Sequence, residues 1–288
     1  MTECGTDISK YFEYIKTIAN GSFGMVYLAK VLPAAKMELP EFKDWSDHPV
    51  AIKNIRCKNL HECDQCIKEI QIMKKINGKY NMRYYGCFVV RGSYHIVMEL
   101  CDGQNLKDIL KSTIMSVETL ITILRDLAYA IRELHSHGVV HRDIKPANIM
   151  ICDGKIKLVD YGLSLILGDM NHKYRSFVGT PSYMDLWDLP REQSYLADWW
   201  AWGQIAAYMF TGKDYLVPAG VDKKQRIIEL RGVPHHFKPV NPSALDDLPH
   251  DLRNLILNIT DPNKEPIDRP NEHDIITILE SLVGPDEG

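Results

Sequence analysis

Residues 141–150 read HRDIKPANIM, and this stretch decides the fold. It sets an acid, Asp143, two positions before Lys145 and five positions before Asn148. Such an acid can orient an incoming hydroxyl, a lysine can neutralise a phosphoryl group in transfer, and an amide can hold a metal. A second acid, Asp160, ends the next predicted hairpin and is placed to chelate Mg²⁺. Together these residues predict a site for phosphoryl transfer.

The overall composition fits one large domain or two modest lobes with an ample core. The chain has 288 residues and a formal net charge of −4, so no basic field favours nucleic acid or an anionic membrane as partner. The first residues lack the apolar core of a signal peptide. The longest apolar run, 199–210, is shorter than the roughly 20 residues that span a bilayer. We therefore expect a buried helix there and no membrane segment.

The seven cysteines are odd in number and scattered, which is typical of reduced thiols in a cytoplasmic or nuclear protein. Cys63 and Cys66 form a CxxC pair, with His61 nearby. No second pair of ligands follows at the spacing of a zinc site, so the pattern favours neither a metal centre nor redox chemistry.

Strand patterns come first along the chain and helix patterns later, which predicts an α+β fold. The first hundred residues contain short β-branched segments and one helix, at roughly 60–76. Residues 149–160 alternate around Asp153-Gly154, a strong hairpin signal. Apolar residues at spacings of 3 and 4 predict a long helix over 116–138, capped by Gly138. Further helices are predicted at 196–211, 248–259 and 271–282, the last with Asn271 as its N-cap.

A glycine-rich turn and a lysine form a possible phosphate site in the strand-rich half. Gly21 and Gly24 can let backbone N–H groups approach phosphate oxygens, although a plain β-turn explains them equally well. The following VAIK segment places Lys53 on a strand, from which it can reach phosphates as a point charge. Glu69 lies on the inward face of the predicted helix, where an acid is costly unless paired. Lys53 is its natural partner.

The order of these motifs resembles that of a eukaryotic-type protein kinase domain of the serine/threonine type. The resemblance covers residues 8–283 and rests on a known signature set. The motifs that carry it are the glycine loop, VAIK, Glu69, HRDIKPAN, DYG, GTPSYM, DWWAWG and DRP. It implies a bilobal fold with a small β-rich N-lobe over 1–100 and a helical C-lobe over 101–288. It also implies ATP and Mg²⁺ as cofactors and protein substrates with serine or threonine acceptors.

The resemblance assigns roles residue by residue. It implies that Asp143 is the catalytic base, assisted by Lys145, and that Lys53 binds phosphate while paired with Glu69. The magnesium ligands would be Asn148 and Asp160. The nucleotide-binding positions would be Gly21, Gly24, Val26, Ala51, Lys53, Met98, Glu99, Cys101 and Met150. Among them, Val26, Ala51 and Met150 would enclose adenine, Met98 would be the gatekeeper, and the backbones of Glu99 and Cys101 would read the adenine edge.

Regulation by phosphorylation is implied by an arginine, Arg142, beside the catalytic acid. Thr180 would lie near Asp143 and Lys145 and help define the acceptor site. Ser176, four residues earlier, stands where many family members carry an activating phosphate. We expect its phosphorylation, in trans through transient self-association of two copies. The alternative is that Ser176 is only a loop serine.

The chain departs from the family pattern at three motifs. Ala19 stands where the first glycine of the loop usually sits, and we expect altered nucleotide affinity rather than lost function. Tyr161 replaces phenylalanine, and its hydroxyl needs a partner if buried. Asp185-Leu186-Trp187 replaces Ala-Pro-Glu, whose glutamate normally pairs with an arginine, here Arg269. Arg269 either finds another acid, such as Asp185 or Asp188, or faces solvent, or apolar packing replaces the pair. The tryptophan favours apolar packing.

An insertion at 31–49 separates two N-lobe strands that the family usually joins by a short loop. Its apolar residues are Met37, Leu39, Phe42 and Trp45. They can pack back on the small lobe, which we favour, or present a surface to a partner.

Three classes of function are compatible with these motifs. The favoured one is an active serine/threonine kinase, because Lys53, Glu69, Asp143, Asn148 and Asp160 are all intact. The alternative is a pseudokinase that acts as a binding or allosteric module. A small-molecule phosphotransferase is disfavoured by Lys145 and GTPSYM, which belong to peptide-hydroxyl docking in the family.

Overall fold

The computed structural model describes residues 2–4, 7–21, 24–76, 78–168, 178–187, 189–212, 222 and 242–286. The chain divides into two compact units, Met1–Asp102 and Gly103–Gly288. An antiparallel sheet dominates the first unit, and helices dominate the second.

The N-terminal unit is built on one six-stranded sheet. Its strands are β1 (Thr2–Cys4), β2 (Phe12–Gly21), β3 (Gly24–Val31), β4 (Val50–Arg56), β5 (Tyr84–Val90) and β6 (Ser93–Glu99). They lie in the order β1-β5-β6-β4-β3-β2, and only the β1–β5 pairing is parallel. The turn between β5 and β6 uses Arg91 and Gly92, with φ of 49° and 77°. Both residues thus adopt the left-handed conformation.

The insertion folds back on this sheet, as the favoured interpretation expected. It forms a short helix, α1 (Pro33–Glu38), and a 3-10 turn (Pro40–Phe42). Leu39 and Phe42 are buried, and the Phe42 ring meets Phe12 of β2 edge-on at 5.4 Å between centroids. Met37 is the exception, because 85% of its surface is exposed.

Helix α2 (Leu60–Lys75) is the predicted helix of the N-terminal unit. It begins after Asn59, whose side chain accepts a hydrogen bond from the Glu62 N–H at 2.9 Å. This cap satisfies one of the free N–H groups that every helix start exposes. The side chains that α2 buries are those of Cys66, Glu69, Ile70, Ile72 and Met73.

The C-terminal unit contains mostly helices and two small sheets. Its helices are α3 (Leu106–Ser112), α4 (Val117–Ser136), α5 (Leu196–Thr211), α6 (His250–Ile259) and α7 (Glu272–Val283). Its strands are β7 (Gln104–Asn105), β8 (Val139–Val140), β9 (Ile149–Cys152), β10 (Lys155–Leu158) and β11 (Leu165–Ile166). The sheets are β10-β9-β7 and β11-β8.

Local sequence signals explain most of these boundaries. The β9–β10 turn places Asp153 and Gly154 at φ of 50° and 77°, the left-handed conformation that an Asp-Gly turn favours. Helix α7 begins after Asn271, which forms a capping box with Asp274. The apolar run at 199–210 lies within the buried helix α5. Within the described ranges, every helix falls short of the length and apolarity needed to cross a membrane.

The cysteines follow the expectation of reduced thiols only in part. Cys57, Cys63, Cys66 and Cys87 are free. Cys101 and Cys152 are assigned to a disulfide. This assignment disagrees with the expectation of reduced thiols at these two positions.

Candidate functional site

A buried ion pair joins Lys53 of β4 to Glu69 of α2. The Lys53 Nζ lies 2.5 Å from the Glu69 Oε1, and the two side chains are 13% and 5% exposed. A carboxylate this buried is costly without a partner, and the lysine supplies one. The pair that the sequence predicted is therefore present, and it fixes the lysine head group relative to the sheet.

The predicted nucleotide-binding residues of the N-terminal unit share one face of its sheet. Ala51 and Lys53 lie two residues apart on β4, so their side chains point to the same side. Val26 on β3 pairs with Lys53, and Met98 on β6 pairs with Ala51. Directly paired residues of antiparallel strands point to one face, so the four side chains form a mostly apolar surface with one charge.

Gly21 ends β2, an edge strand of the sheet, and Gly24 begins β3. Gly21 pairs with Gly24, and Ala19 pairs with Val26 after an irregularity in the register. Gly24 has φ of 142°, and a Cβ there would lie 2.2 Å from the Asn54 carbonyl oxygen. Only glycine fits this position, because both the backbone conformation and the close approach exclude a side chain.

The predicted hinge begins with Glu99, the last residue of β6. The Glu99 N–H donates to the Arg83 carbonyl at 2.9 Å. Cys101 lies two residues further on, at the end of the N-terminal unit, and is half-buried.

In the C-terminal unit, the Asp143 carboxylate lies at the centre of a hydrogen-bonded cluster. Its Oδ2 accepts from the Lys145 Nζ at 2.6 Å and from the Asn148 Nδ2 at 3.1 Å. Its Oδ1 accepts from the Thr180 hydroxyl at 2.7 Å. The Lys145 Nζ also donates to the Thr180 Oγ1 at 2.9 Å. Lys145, Asn148 and Thr180, all predicted site residues, thus surround the carboxylate of Asp143, which is 8% exposed.

Asp198 of α5 holds the backbone that leads into this cluster. Its carboxylate accepts from the backbone N–H groups of His141 and Arg142, each at 2.8 Å, and contacts the His135 Nε2 at 2.9 Å. Burial alone would raise the pKa of Asp198, but hydrogen bonds from His135 and Arg142 and the nearby imidazoles hold that pKa below its usual range. Asp198 therefore stays ionised and fixes the loop before Asp143. Asp198 opens the DWWAWG motif, for which no role was predicted from the sequence.

Asn148 and Asp160 have oxygen atoms suited to a cation. Asn148 uses its amide nitrogen for its bonds to the Asp143 carbonyl oxygen and carboxylate, which leaves its Oδ1 as acceptor. Among the residues that the structure describes, none forms a hydrogen bond with the buried Asp160 Oδ1. The two residues are tied together, because the Val159 N–H donates to the Asn148 carbonyl at 3.0 Å. A buried carboxylate oxygen without a partner fits a hard cation such as Mg²⁺.

Tyr161 has the partner that its hydroxyl requires. The ring is 1% exposed, and the hydroxyl donates to the Leu158 carbonyl at 2.7 Å. Replacing phenylalanine with tyrosine therefore leaves this part of the core satisfied. Met150, the predicted adenine contact of this unit, is half-buried on β9, opposite Lys157 of β10.

The expectation that apolar packing replaces the ion pair of Arg269 is wrong. Arg269 pairs with Asp185, at 2.6 Å from Nη1 to Oδ2, and the two side chains are 5% and 3% exposed. The acid has moved two residues towards the N-terminus relative to the family pattern. Trp187 instead donates its indole N–H to the Pro262 carbonyl at 3.3 Å. Asp188 and Ser176 lie outside the described residues.

A small cavity of about 30 Å³ lies beside the Asp143 cluster. Its lining includes Asp143, Thr180, Met184, Trp187 and Ala201. The departure from the family pattern at Asp185-Leu186-Trp187 therefore shapes the space next to the predicted catalytic acid.

Comparison with known proteins identifies the family. The model of the protein kinase domain matches residues 12–278. Ribosomal protein S6 kinase 2 alpha of Gallus gallus is 32% identical over 219 residues, 74% of this chain and 28% of that protein. Ribosomal protein S6 kinase alpha-1 of Homo sapiens is 31% identical over 220 residues, 75% of this chain and 28% of that protein.

The serine/threonine-protein kinase sid1 of Schizosaccharomyces pombe is 30% identical over 206 residues, 70% of this chain and 41% of that protein. The matched region is thus less than half the length of each of these relatives. The family match itself extends over nearly all of the chain, and it includes both the Lys53–Glu69 pair and the Asp143 cluster. The chain belongs to the protein kinase domain family.

Proposed function

We propose that this chain transfers the γ-phosphoryl group of Mg·ATP to serine or threonine hydroxyls of protein substrates, with Asp143 as catalytic base. The observation that carries the proposal is the Asp143 carboxylate, oriented by Asn148 and flanked by Lys145 and Thr180. Phosphoryl transfer depends mainly on positioning and on charge stabilisation, and this cluster offers both.

Each side chain of the cluster has a definable task. Asp143 accepts a hydrogen bond from the attacking hydroxyl and takes its proton as transfer proceeds. Lys145, 2.6 Å from the Asp143 Oδ2, brings a positive charge to the oxygens of the group in transfer. Asn148 holds the carboxylate rotamer through its bond to Oδ2. Asp198 keeps the preceding backbone in place through two N–H groups.

Each unit would supply its own set of residues to bind the cofactor. In the N-terminal unit, Lys53 and the glycine turn would hold phosphates, while Val26, Ala51 and Met98 would contact adenine. In the C-terminal unit, Asn148 and Asp160 would hold the metal, and Met150 would contact adenine. When bound, Mg·ATP supplies the phosphoryl group and the positive charge that offsets its developing negative charge.

Two further features support a protein substrate with a serine or threonine acceptor. Lys145 and Thr180 contact the Asp143 carboxylate and each other. Both would therefore lie next to the acceptor hydroxyl of a substrate. The relatives named above are serine/threonine kinases or S6 kinases by name. Phosphorylation of Ser176 by a second copy of the chain remains part of this proposal. Mass spectrometry of active protein with Ser176 unmodified would refute that part.

The direct test is incubation of the purified chain with radiolabelled ATP, Mg²⁺ and a generic protein substrate. Asp160→Asn is the matched control, because it keeps the size of the side chain and removes the charge that would hold the metal. We expect label in the protein substrate with the wild type and none with the control. Label found only in small hydroxyl compounds would instead indicate a small-molecule phosphotransferase.

A pseudokinase is the second candidate, and a thermal-shift assay with ATP beside the labelling experiment distinguishes it. The Asp143 cluster and the Lys53–Glu69 pair are complete, which favours catalysis over binding alone. A chain that gains thermal stability from ATP yet labels no protein would behave as a binding or allosteric module.

A further inference from the structure

A second cavity, of about 480 Å³, lies within the C-terminal unit. Residues at the end of α4, at the start of α5 and at the start of α7 form its lining. It shares no lining residue with the small cavity beside Asp143. Its volume is within the range of about 300–1,000 Å³ that is usual for sites that bind small molecules.

Three aromatic side chains contribute to the lining of this cavity. The His135 ring meets the Tyr195 ring at 5.9 Å and the Trp199 ring at 5.7 Å between centroids, and both contacts are edge-on. Leu167 and Leu196 add aliphatic surface. Aromatic rings attract a further ring through edge-to-face or offset contacts. The cavity therefore favours a ligand that contains an aromatic ring.

His135 offers this ligand a hydrogen-bond acceptor. Its Nε2 lies 2.9 Å from the Asp198 carboxylate, and an ionised carboxylate only accepts hydrogen bonds, so Nε2 carries the hydrogen. The Nδ1 of the neutral ring is then an acceptor. In the described part of the chain, no group forms a hydrogen bond with this Nδ1. A hydroxyl or N–H group of a ligand would supply the missing donor.

Glu272 gives the cavity a negative charge. It is the first residue of α7, lines the cavity and is half-buried. Its carboxylate forms neither an ion pair nor a hydrogen bond with any residue in the described ranges. Arg269 also lines the cavity, but its charge is balanced by Asp185 at 2.6 Å. A carboxylate beside aromatic rings attracts a cation, and the rings add to that attraction.

We propose that this cavity binds a small aromatic amine that carries a hydroxyl group on its ring. The ring would pack against Tyr195 and Trp199, the hydroxyl would donate to the His135 Nδ1, and the ammonium group would pair with the Glu272 carboxylate. His135 also contacts Asp198, which holds the backbone before Asp143. Binding is measured directly, so the test does not depend on phosphoryl transfer.

Isothermal titration calorimetry of the purified chain with three matched compounds tests the proposal. Tyramine has the ring, the hydroxyl and the ammonium group, and we expect it to bind. Phenethylamine lacks the hydroxyl and should bind about 5–10-fold more weakly, because it cannot donate to His135. The compound 3-(4-hydroxyphenyl)propionate has a carboxylate in place of the ammonium group. It should bind about tenfold more weakly or worse, because Glu272 repels it.

A charge variant shows whether Glu272 makes the contact. Glu272→Gln should weaken tyramine binding about 3–10-fold, the effect of losing one charged partner. Glu118→Gln is the matched control, because Glu118 lies in the first turn of α4 and does not line the cavity. It changes the charge at a helix start in the same way and should leave the affinity unchanged.

A filling variant shows whether the cavity is the site. Leu196 is the first residue of α5 and is half-buried in the lining, so Leu196→Trp should occupy the space and abolish tyramine binding. Val117→Trp is its control, because Val117 is the first residue of α4 and is 47% exposed outside the cavity. Urea unfolding of both variants verifies that they fold.

Four results would overturn the proposal. They are no binding of tyramine, equal affinity for the three compounds, equal losses in Glu272→Gln and Glu118→Gln, and full affinity in a folded Leu196→Trp. Equal affinity for the three compounds would mean that the cavity recognises only an apolar ring. The last two results would mean that tyramine binds elsewhere on the chain.

Discussion

Arg269 and Asp185 form a buried ion pair at 2.6 Å, in a chain whose sequence has lost the acid usually found two residues later. The Arg269 guanidinium also lies 4.3 Å from the centroid of the Trp200 ring. Asp185 also accepts a hydrogen bond from the Trp187 N–H at 3.1 Å. The ionic contact has therefore been kept by moving the acid along the loop, and Trp187 occupies the vacated position.

Removing one partner of this pair should be strongly destabilising. In Asp185→Ala, the Arg269 charge stays buried without its carboxylate, and this typically costs about 3–5 kcal/mol of unfolding free energy. The measurement is urea denaturation of the wild type and the variant. Asp246→Ala is the control, because Asp246 forms an exposed pair with Arg253 at 2.8 Å, and exposed pairs contribute about 0–1 kcal/mol. Equal losses in the two variants would contradict the prediction.

Thr180 should control catalysis through its hydroxyl rather than its size. Thr180→Val keeps the shape but removes the bonds to Asp143 and Lys145. If the chain is an active kinase, kcat/KM towards a protein substrate should fall about 10–100-fold, the equivalent of one or two hydrogen bonds to charged groups.

Thr180→Ser is the matched variant for this test. It keeps the hydroxyl, so its kcat/KM should stay within about threefold of the wild-type value. A serine variant as impaired as the valine variant would show that the methyl group, and not the hydrogen bonds, matters at this position.

Local patterns predicted the elements of the fold better than the contacts between them. The Asp-Gly turn of β9–β10 and the Asn271 cap depend on a few neighbouring residues, so the local sequence is enough to predict both features. The Lys53–Glu69 pair was also predictable, because an acid on an inward helix face demands a partner.

Features that depend on tertiary contacts were missed or mistaken. Helix α1 lies within the insertion and is stabilised by packing of its unit rather than by a strong periodic pattern. The move of the acid to Asp185 depends on where the loop brings its carboxylate, which spacing alone does not reveal.

His95 should make stability depend on pH. It lies on β6, is buried, and its Nδ1 is 3.0 Å from the Tyr14 hydroxyl. Burial lowers its pKa from the ordinary 6.5, so the folded state binds fewer protons than the unfolded state as the pH falls below that value. Its contribution to stability is therefore present above about pH 6.5 and declines below it, by at most about 1.4 kcal/mol per pH unit.

A difference measurement isolates this effect from other titrating groups. The unfolding free energy of the wild type is compared with that of His95→Gln at several values between about pH 5 and about pH 7.5. The wild type should lose stability relative to the variant at the acid end. His48→Gln, which removes an exposed histidine of the same unit, should follow the wild type throughout. A constant difference between wild type and His95→Gln would contradict the prediction.

Gly203 should tolerate no side chain, because α5 and α6 approach each other closely at that residue. A Cβ on Gly203 would lie 2.5 Å from the Ile259 Cγ2 and 3.0 Å from the Thr260 Cγ2. Overpacking of this kind costs about 1–3 kcal/mol, which exceeds the roughly 1 kcal/mol that alanine gains over glycine in a helix. Gly203→Ala should therefore lower the midpoint of urea unfolding.

A double-mutant cycle identifies the cause. Ile259→Ala alone leaves a cavity, but in the double variant the new methyl group occupies part of that space, so the combined loss should be smaller than the sum of the single losses. Strictly additive losses would show that the helices are not in contact at Gly203 and Ile259 in solution.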